Sequence, residues 1–319
     1  MSLKVSVCIS TWNRREELSD LLESVYKQNY PDFDVTVVDN CSSDDTLQLL
    51  TEYENKYDNF TYGVLDEPHP SACYTLNLSF NLSDGDYILV LDDDSLLIET
   101  DTISRMVKLM EENLNAAIVG SNVLDINGNV AIQFKHEAFN TVNVDDLDKL
   151  SPFKYVDFSG ACAMFRREMV EQVGFYDEPL TIYWNEAKLA LEMIARGYDV
   201  IFAPDIKSVH VASLTNRVQC RNHFHYIING NKIINENLCP RERLLLVPLR
   251  SLVYSVSYIK QCHPKWTVII KLIYELIKCH IHIVIGKRNS YVNNNQHAWV
   301  RKIYTKFFWK DIYYFIFTV

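Results

Sequence analysis

Between Val5 and Leu91, short apolar runs rich in β-branched residues alternate with segments of helical period, a cadence that few folds accommodate. Residues 5–10 read as a strand, and residues 14–28 then repeat Leu18, Leu21, Leu22 and Val25 at helical spacing. Residues 35–38 form a second strand ending at Asp39, and residues 42–45 offer caps for a helix carrying Leu47, Leu49 and Leu50. A strand at 60–64 and a helix near 74–81 precede residues 87–91, the most apolar strand. This alternation predicts an α/β fold, a parallel sheet with helices on both faces. Such sheets bind ligands beyond the carboxyl ends of their strands, where the strand order switches. The polar residues at 11–14, 39–44 and 92–94 are therefore the ones to watch.

Farther along, residues 117–123 suit a strand, 127–129 a turn and 141–152 a loop. Residues 158–166 lead into a helix, residues 184–196 form another, and a strand at 200–203 follows the stop at Gly197-Tyr198. From Arg221 the chain reads as mostly helical, with Pro240, Pro248 and Pro264 as breaks. The 319 residues suit one large α/β domain with an appendage, divided near Thr215. Residues 1–215 form the main domain, with halves 1–98 and 99–215, and 216–319 a helical, basic extension.

The net charge of -10 is unevenly spread, with 16 Lys and Arg against 4 Asp and Glu from Val211 onward. That tail carries +12 and residues 1–210 carry -22. An acidic body does not suit a polyanionic duplex, so no nucleic-acid partner is expected. A basic tail rich in Ile, Leu, Tyr and Trp suits an anionic membrane surface; a helical extension held to the body by charge suits it equally. Lys271 interrupts the apolar run 266–277 and Arg250 the run 244–256, so neither reaches the roughly 18–20 residues of a membrane span. Eight scattered cysteines show no C-x-x-C pair, and the N-terminus resembles no secretory signal. A cytoplasmic protein is expected, with its inner membrane face as the place for the tail.

Asp92, Asp93 and Asp94 stand directly after the most apolar strand. Like charges at such a place require compensation, and a hard divalent cation, Mg2+ or Mn2+, takes oxygen ligands while substrate phosphates complete its shell. The order of motifs is more specific than any one of them. Val7-Cys8-Ile9-Ser10-Thr11-Trp12-Asn13-Arg14, then Val37-Val38-Asp39-Asn40 with Ser42 and Asp44, then Gly85-Asp86-Tyr87 leading to Leu91-Asp92-Asp93-Asp94, resembles family 2 glycosyltransferases over about residues 4–235. The resemblance implies the GT-A fold, a Rossmann-like nucleotide-binding half joined to an acceptor half, and inversion at the anomeric centre. It gives Thr11, Asn13, Arg14 and Asn77 to the nucleotide-sugar, Asp39 to the base, Asp92 to the ribose beside Asp93, and Asp94 to the metal. His210 matches the place where some members supply a metal-binding His. Gly160 and Ala161, with Trp184 and Asn185, fall on the acceptor side, and the stretches 165–168 and 174–178 are similar to the wall there.

An inverting transfer needs a carboxylate to take the proton of the attacking hydroxyl. The family places an Asp of a Glu-Asp or Asp-Asp pair near the start of a helix ending in Gly-Tyr. Here the pair is Asn185-Glu186, Gly197-Tyr198 follows, and Glu186 is the candidate base. Lys188 and Glu192 stand as an i,i+4 pair with the family's charges exchanged, and His69-Pro70-Ser71-Ala72-Cys73 replaces the usual Asn-x-Gly-x-Ala. Arg221-Asn222 ahead of Gly230-Asn231-Lys232 is similar to a segment of surface-polysaccharide sugar transferases, rhamnosyltransferases among them. The implied partners are a nucleotide-diphosphate sugar and a saccharide or lipid-linked saccharide acceptor. Two other readings stay open: a non-catalytic sugar-nucleotide-binding protein, and a nucleotidyltransferase, against which the absence of a Gly-rich phosphate loop after residues 5–10 argues.

Overall fold

The computed structural model describes residues 3–130, 150–211, 219–238, 240–285 and six positions between 300 and 309. Thr215 and most of the 141–152 loop lie outside the described residues. The elements run β1 (Val5–Thr11), α1 (Arg15–Val25), β2 (Phe33–Asp39), α2 (Thr46–Lys56), β3 (Phe60–Val64), α3 (Ala72–Leu82), β4 (Tyr87–Asp92), β5 (Ser95–Leu97), α4 (Thr102–Glu112) and β6 (Ala116–Leu124). After them come β7 (Phe153–Lys154), β8 (Cys162–Arg166), α5 (Arg167–Val170), α6 (Asn185–Ala195), β9 (Asp199–His210), α7 (Gln219–Asn237), α8 (Pro240–Cys262) and α9 (Trp266–Ile285).

One sheet has the order β3-β2-β1-β4-β8-β6-β9-β5, with β7 paired to β9. β1 runs parallel to β2 on one side and to β4 on the other, so the order switches at β1. The register sets Thr11 beside Asp39 and Ser10 beside Asp92, which brings the polar ends of three strands to one edge. Alternating side chains feed two cores. Val7, Ile9, Leu89 and Leu91 pack with α1, α2 and α4, while Cys8, Ile88 and Val90 pack with α3 and α6. In α1 the buried Leu18, Leu21, Leu22 and Val25 repeat at i, i+3, i+4 and i+7, each contributing about 1.5–3 kcal/mol by burial.

The four strands read from the cadence, β1 to β4, are parallel as predicted, and the sheet becomes mixed beyond them. β8 is inserted antiparallel between β4 and β6, and β5 is antiparallel to β9. A continuous apolar run suits a doubly covered strand of either direction, so residues 158–166 did not announce theirs. The helix they lead into, α5, has four residues. Because β8 runs away from the switch point, Arg166 sits opposite Tyr87 at the far end of β4, and Arg167 donates to the Gly85 and Phe80 carbonyls. The 165–168 stretch thus braces the opposite edge of the sheet from the acceptor side.

The strand expected at 200–203 continues as β9 to His210, Pro204 being accommodated at a register shift between Ser121 and Asn122. The core behind α6 continues into the C-terminal helices through Ile233, Ile234, Leu246, Val247, Tyr304 and Phe308. No helix among the described residues is long and apolar enough to cross a membrane. Among the described residues Cys8, Cys41, Cys73, Cys162 and Cys279 are free and Cys262 is disulfide-bonded.

Candidate active site at the carboxyl ends of β1, β2 and β4

The loops after β1 and β2 are latched to each other. The Asn13 N–H donates to Ser42 Oγ at 2.7 Å, and the Ser43 N–H donates to Asn13 Oδ1 at 2.6 Å. Asn13 takes a positive φ of 52°, a conformation that Asn tolerates better than most residues. Asp39 is buried at the end of β2 and accepts from the Ser42 N–H and hydroxyl, so it folds its own loop; the caps of α1 and α2 come from Asp44, which accepts from the Arg15 and Thr46 N–H groups. Burial raises the Asp39 carboxyl above its ordinary pKa, opposed by those two hydrogen bonds.

The three carboxylates after β4 have separate surroundings. Asp93 turns inward, accepting from Thr11 Oγ1 at 3.0 Å and Arg14 Nη1 at 2.6 Å; burial pushes it up to about 6 against the pull of that guanidinium. Arg14 also lies 3.1 Å from Asp94. Thr11 and Arg14, expected around the nucleotide, are thus engaged with the acidic cluster. Asp94 is 2% exposed, and β5 begins immediately after it. Pairing of β5 with the end of β9 places His210 opposite Ser95, with His210 Nε2 2.9 Å from Asp94 Oδ1 and 3.8 Å from Asp92 Oδ2. One ligand atom from each of Asp92, Asp94 and His210 lies within 4.8 Å of the others. Two carboxylate oxygens and an imidazole nitrogen, one carboxylate fully sunk in protein and one half-exposed toward solvent, fit an open divalent-cation site.

Glu186 lies in the first turn of α6, near enough to Asp92 to feel its charge. Its carboxylate lies against Gly160: a Cβ added at Gly160 would stand 2.9 Å from Glu186 Oε1. The glycine therefore makes room for the candidate base. Burial pushes the Glu186 carboxyl up to about 8, reinforced by the charges of Asp157 and Asp92 and opposed by a hydrogen bond from Asn185. Asp157, itself raised to about 7 by burial, went unnoticed in the sequence. Its only signal was an acid inside the apolar run Tyr155-Val156-Asp157-Phe158, just before Ser159-Gly160. Ala161 is buried beside Gly160 at the start of β8.

The nearby acids Asp177 and Glu178 are engaged elsewhere. Asp177 Oδ2 lies 2.5 Å from Lys188 Nζ and 2.7 Å from Lys232 Nζ, and the two lysines overcome burial to hold its pKa below the ordinary value. Lys188 also meets Glu192 at 3.8 Å, the i,i+4 pair read from the sequence. Asn77, expected at the donor, is bonded to segment 176–178: its Nδ2 donates to the Tyr176 carbonyl and to Glu178, and its Oδ1 accepts the Tyr176 N–H. Trp184, expected at the acceptor, turns its indole toward the C-terminal helices, donating to the Tyr226 carbonyl at 3.1 Å and stacking on Phe308 at 5.4 Å. Thr181, Tyr183 and Trp184 all have positive φ, at 55°, 64° and 69°. Each such residue costs about 1–3 kcal/mol, and such strain clusters at functional sites.

The family model described as Glycosyl transferase family 2 matches residues 6–174, more than half of the 319-residue chain. The chain is 26% identical over 229 residues to the O-antigen chain rhamnosyltransferase RfbN of Salmonella typhimurium, covering 70% of this chain and 71% of that one. It is 25% identical over 187 residues to the GalNAc(5)-diNAcBac-PP-undecaprenol beta-1,3-glucosyltransferase of Campylobacter jejuni, 58% of each chain. Among solved structures, the mannosyltransferase PcManGT from Pyrobaculum calidifontis, in complex with GDP-Man and Mn2+, superposes with a TM-score of 0.60 at 16% identity, over 100% of this chain and 88% of that one. S. aureus TarS 1-349 in complex with UDP-GlcNAc gives 0.61 at 19% identity, over 88% and 82%. These likenesses show the GT-A fold. Together with the match across the strands and loops that build the acidic edge, they show that the chain belongs to glycosyl transferase family 2.

Proposed function

We propose that the chain is an inverting, metal-dependent glycosyltransferase that moves a sugar from a nucleotide-diphosphate sugar to a glycan or lipid-linked acceptor in cell-surface polysaccharide synthesis. The observation that carries this reading is the pairing of a three-residue group that could hold a cation, Asp92, Asp94 and His210, with a separate buried carboxylate, Glu186, whose pKa burial raises. Asp92, Asp94 and His210 would hold Mn2+ or Mg2+, which when bound supplies positive charge for the departing diphosphate. Asp39 and the latched loops of Asn13 and Ser42 are assigned to the base and ribose, with Asp92 at the rim. Arg14, poised between Asp93 and Asp94, neutralises the cluster and stands ready at the phosphates. Glu186 accepts the proton of the acceptor hydroxyl as that oxygen bonds to the anomeric carbon, while the carbon–oxygen bond to the diphosphate breaks and its electron pair leaves with the phosphate. Gly160 keeps the base side of the cleft open.

The likeness to transferases named for O-antigen and undecaprenol-linked substrates supports a surface-glycan acceptor. The membrane part of the reading rests on α9. Trp266, 78% exposed, starts an outward stripe of Ile270, Ile273, Tyr274 and Ile277, with Lys271 and Lys278 also exposed. An apolar face with basic neighbours suits the inner, anionic surface of the cytoplasmic membrane. Incubation with a panel of UDP-, GDP- and dTDP-sugars, with Mn2+ or with EDTA, tests the enzyme reading. Mn2+-dependent release of nucleoside diphosphate is expected; tight nucleotide binding with no release from any donor would leave a binding protein instead.

A further inference from the structure

We propose that the helices beyond the family core are part of the catalytic apparatus, with Asn229 and Arg250 as positioning residues that hold the strained segment before α6 and so aim Glu186. The family match ends at residue 174, and both residues lie well beyond it. Three residues of segment 181–184 have positive φ immediately before the candidate base, and nothing in their own sequence favours that. The holding contacts come from α7. Asn229 Nδ2 lies 2.6, 2.8 and 3.0 Å from the carbonyls of Leu180, Ile182 and Tyr183, so one amide gathers the segment. Thr181 Oγ1 is hydrogen-bonded to His225 at 3.0 Å, and the Thr181 carbonyl accepts the Ala72 N–H of α3 on the opposite side.

Arg250 fixes Trp184, the residue that caps α6. Fully buried, it donates from Nη1 to the Ile227 carbonyl at 2.8 Å and from Nη2 to the Tyr226 carbonyl at 3.0 Å, the carbonyl that also receives the Trp184 indole N–H. Its guanidinium lies 5.6 Å from the Trp184 ring, 5.1 Å from Tyr226 and 4.6 Å from Tyr254, within cation–π range. It enters from α8 across α7 at Gly230, where a Cβ would stand 2.5 Å from Nη2 and 2.7 Å from Cζ. Gly230 is thus the gap that admits Arg250, and Asn231 next to it accepts from Nη1 at 3.2 Å. Two residues beyond Trp184, Glu186 is seated against Gly160.

The proposal rests on Glu186 being the base, and the test separates the two. Full-length Arg250→Met, Asn229→Ala and Gly230→Ala are compared with wild type for UDP–Mn2+ and GDP–Mn2+ affinity, for kcat and KM on the turned-over donor, for the pH profile, and for amide exchange over residues 185–189. Nucleotide affinity and donor KM should hold, kcat should fall by roughly 10²-fold, as misplacement of a reacting group by about an ångström does, the rising limb should move to lower pH, and exchange over 185–189 should quicken while β1 and β4 stay protected. The Gly230→Ala loss should vanish in an Arg250→Met background. Should Arg250→Met not fold, Asn229→Ala and Gly230→Ala carry the comparison. Wild-type kcat and native exchange over 185–189 in these variants would overturn the proposal. Undiminished turnover in Glu186→Gln would instead remove the base assignment, with the exchange data still deciding whether the clamp exists.

Discussion

At the scale of single residues, the decisive contrast is between carboxylates paired with Arg, Lys or His and the buried Glu186, whose pKa desolvation raises. Asp94→Ala should abolish the Mn2+-dependent part of nucleotide affinity, because Asp94 is the buried carboxylate that faces His210. Calorimetry with and without Mn2+ checks this, and an undiminished metal dependence would refute the assignment. Glu186→Gln should keep nucleotide affinity and lower transfer by about 10²–10⁴-fold, the usual contribution of a placed general base. With its carboxyl at about 8, wild-type kcat/KM should rise with pH through that value as the base loses its proton. The same shift has a stability consequence of definite sign. Native Glu186 holds its proton at pH values where the unfolded carboxyl has lost it, so stability declines as pH rises from about 4.5 to about 8. In metal-free buffer, thermal unfolding should show Glu186→Gln gaining over wild type between pH 5 and pH 9; a constant difference would deny the raised pKa. Gly160→Ala should reduce turnover while sparing donor affinity, since the new methyl meets Glu186 Oε1. Asp92–Asp94 and Glu186 were legible in the sequence because each follows a strong element boundary. Asp157 and Arg250 were not, since each becomes meaningful only through neighbours far away along the chain.

At the scale of elements, legibility followed periodicity. α1, α2 and the strands β1 to β4 were readable because their apolar residues repeat at 3.6 or 2 and sort cleanly onto two faces. Truncating such a position, as in Leu21→Ala, should cost about 2–5 kcal/mol, measured by urea unfolding. The direction of β8 was illegible, because a strand covered on both faces shows only a run of apolar residues. The extension of β9 past Pro204 was hidden for another reason: a proline argues against a continuing strand unless a register shift receives it. That extension matters most for the site, since only it carries His210 to Asp94.

At the scale of the whole molecule, the charge asymmetry read from the sequence falls on two structural regions, an acidic sheet ending in Asp92–Asp94 and a basic set of helices. If the α9 stripe lies on a membrane, the protein should sediment with anionic liposomes at low salt and be released as ionic strength rises. Equal binding to neutral liposomes would show that charge plays no part. The buried seat of Arg250 also bears on the order in which the protein is made. Ribosomes deliver β1 to β4 first and α8 well over a hundred residues later, so a nascent chain presents Asp39 and Asp92–Asp94 before the helix that carries Arg250 exists. If Arg250 aims the base as proposed, a chain still being synthesised gains turnover only once α8 has emerged.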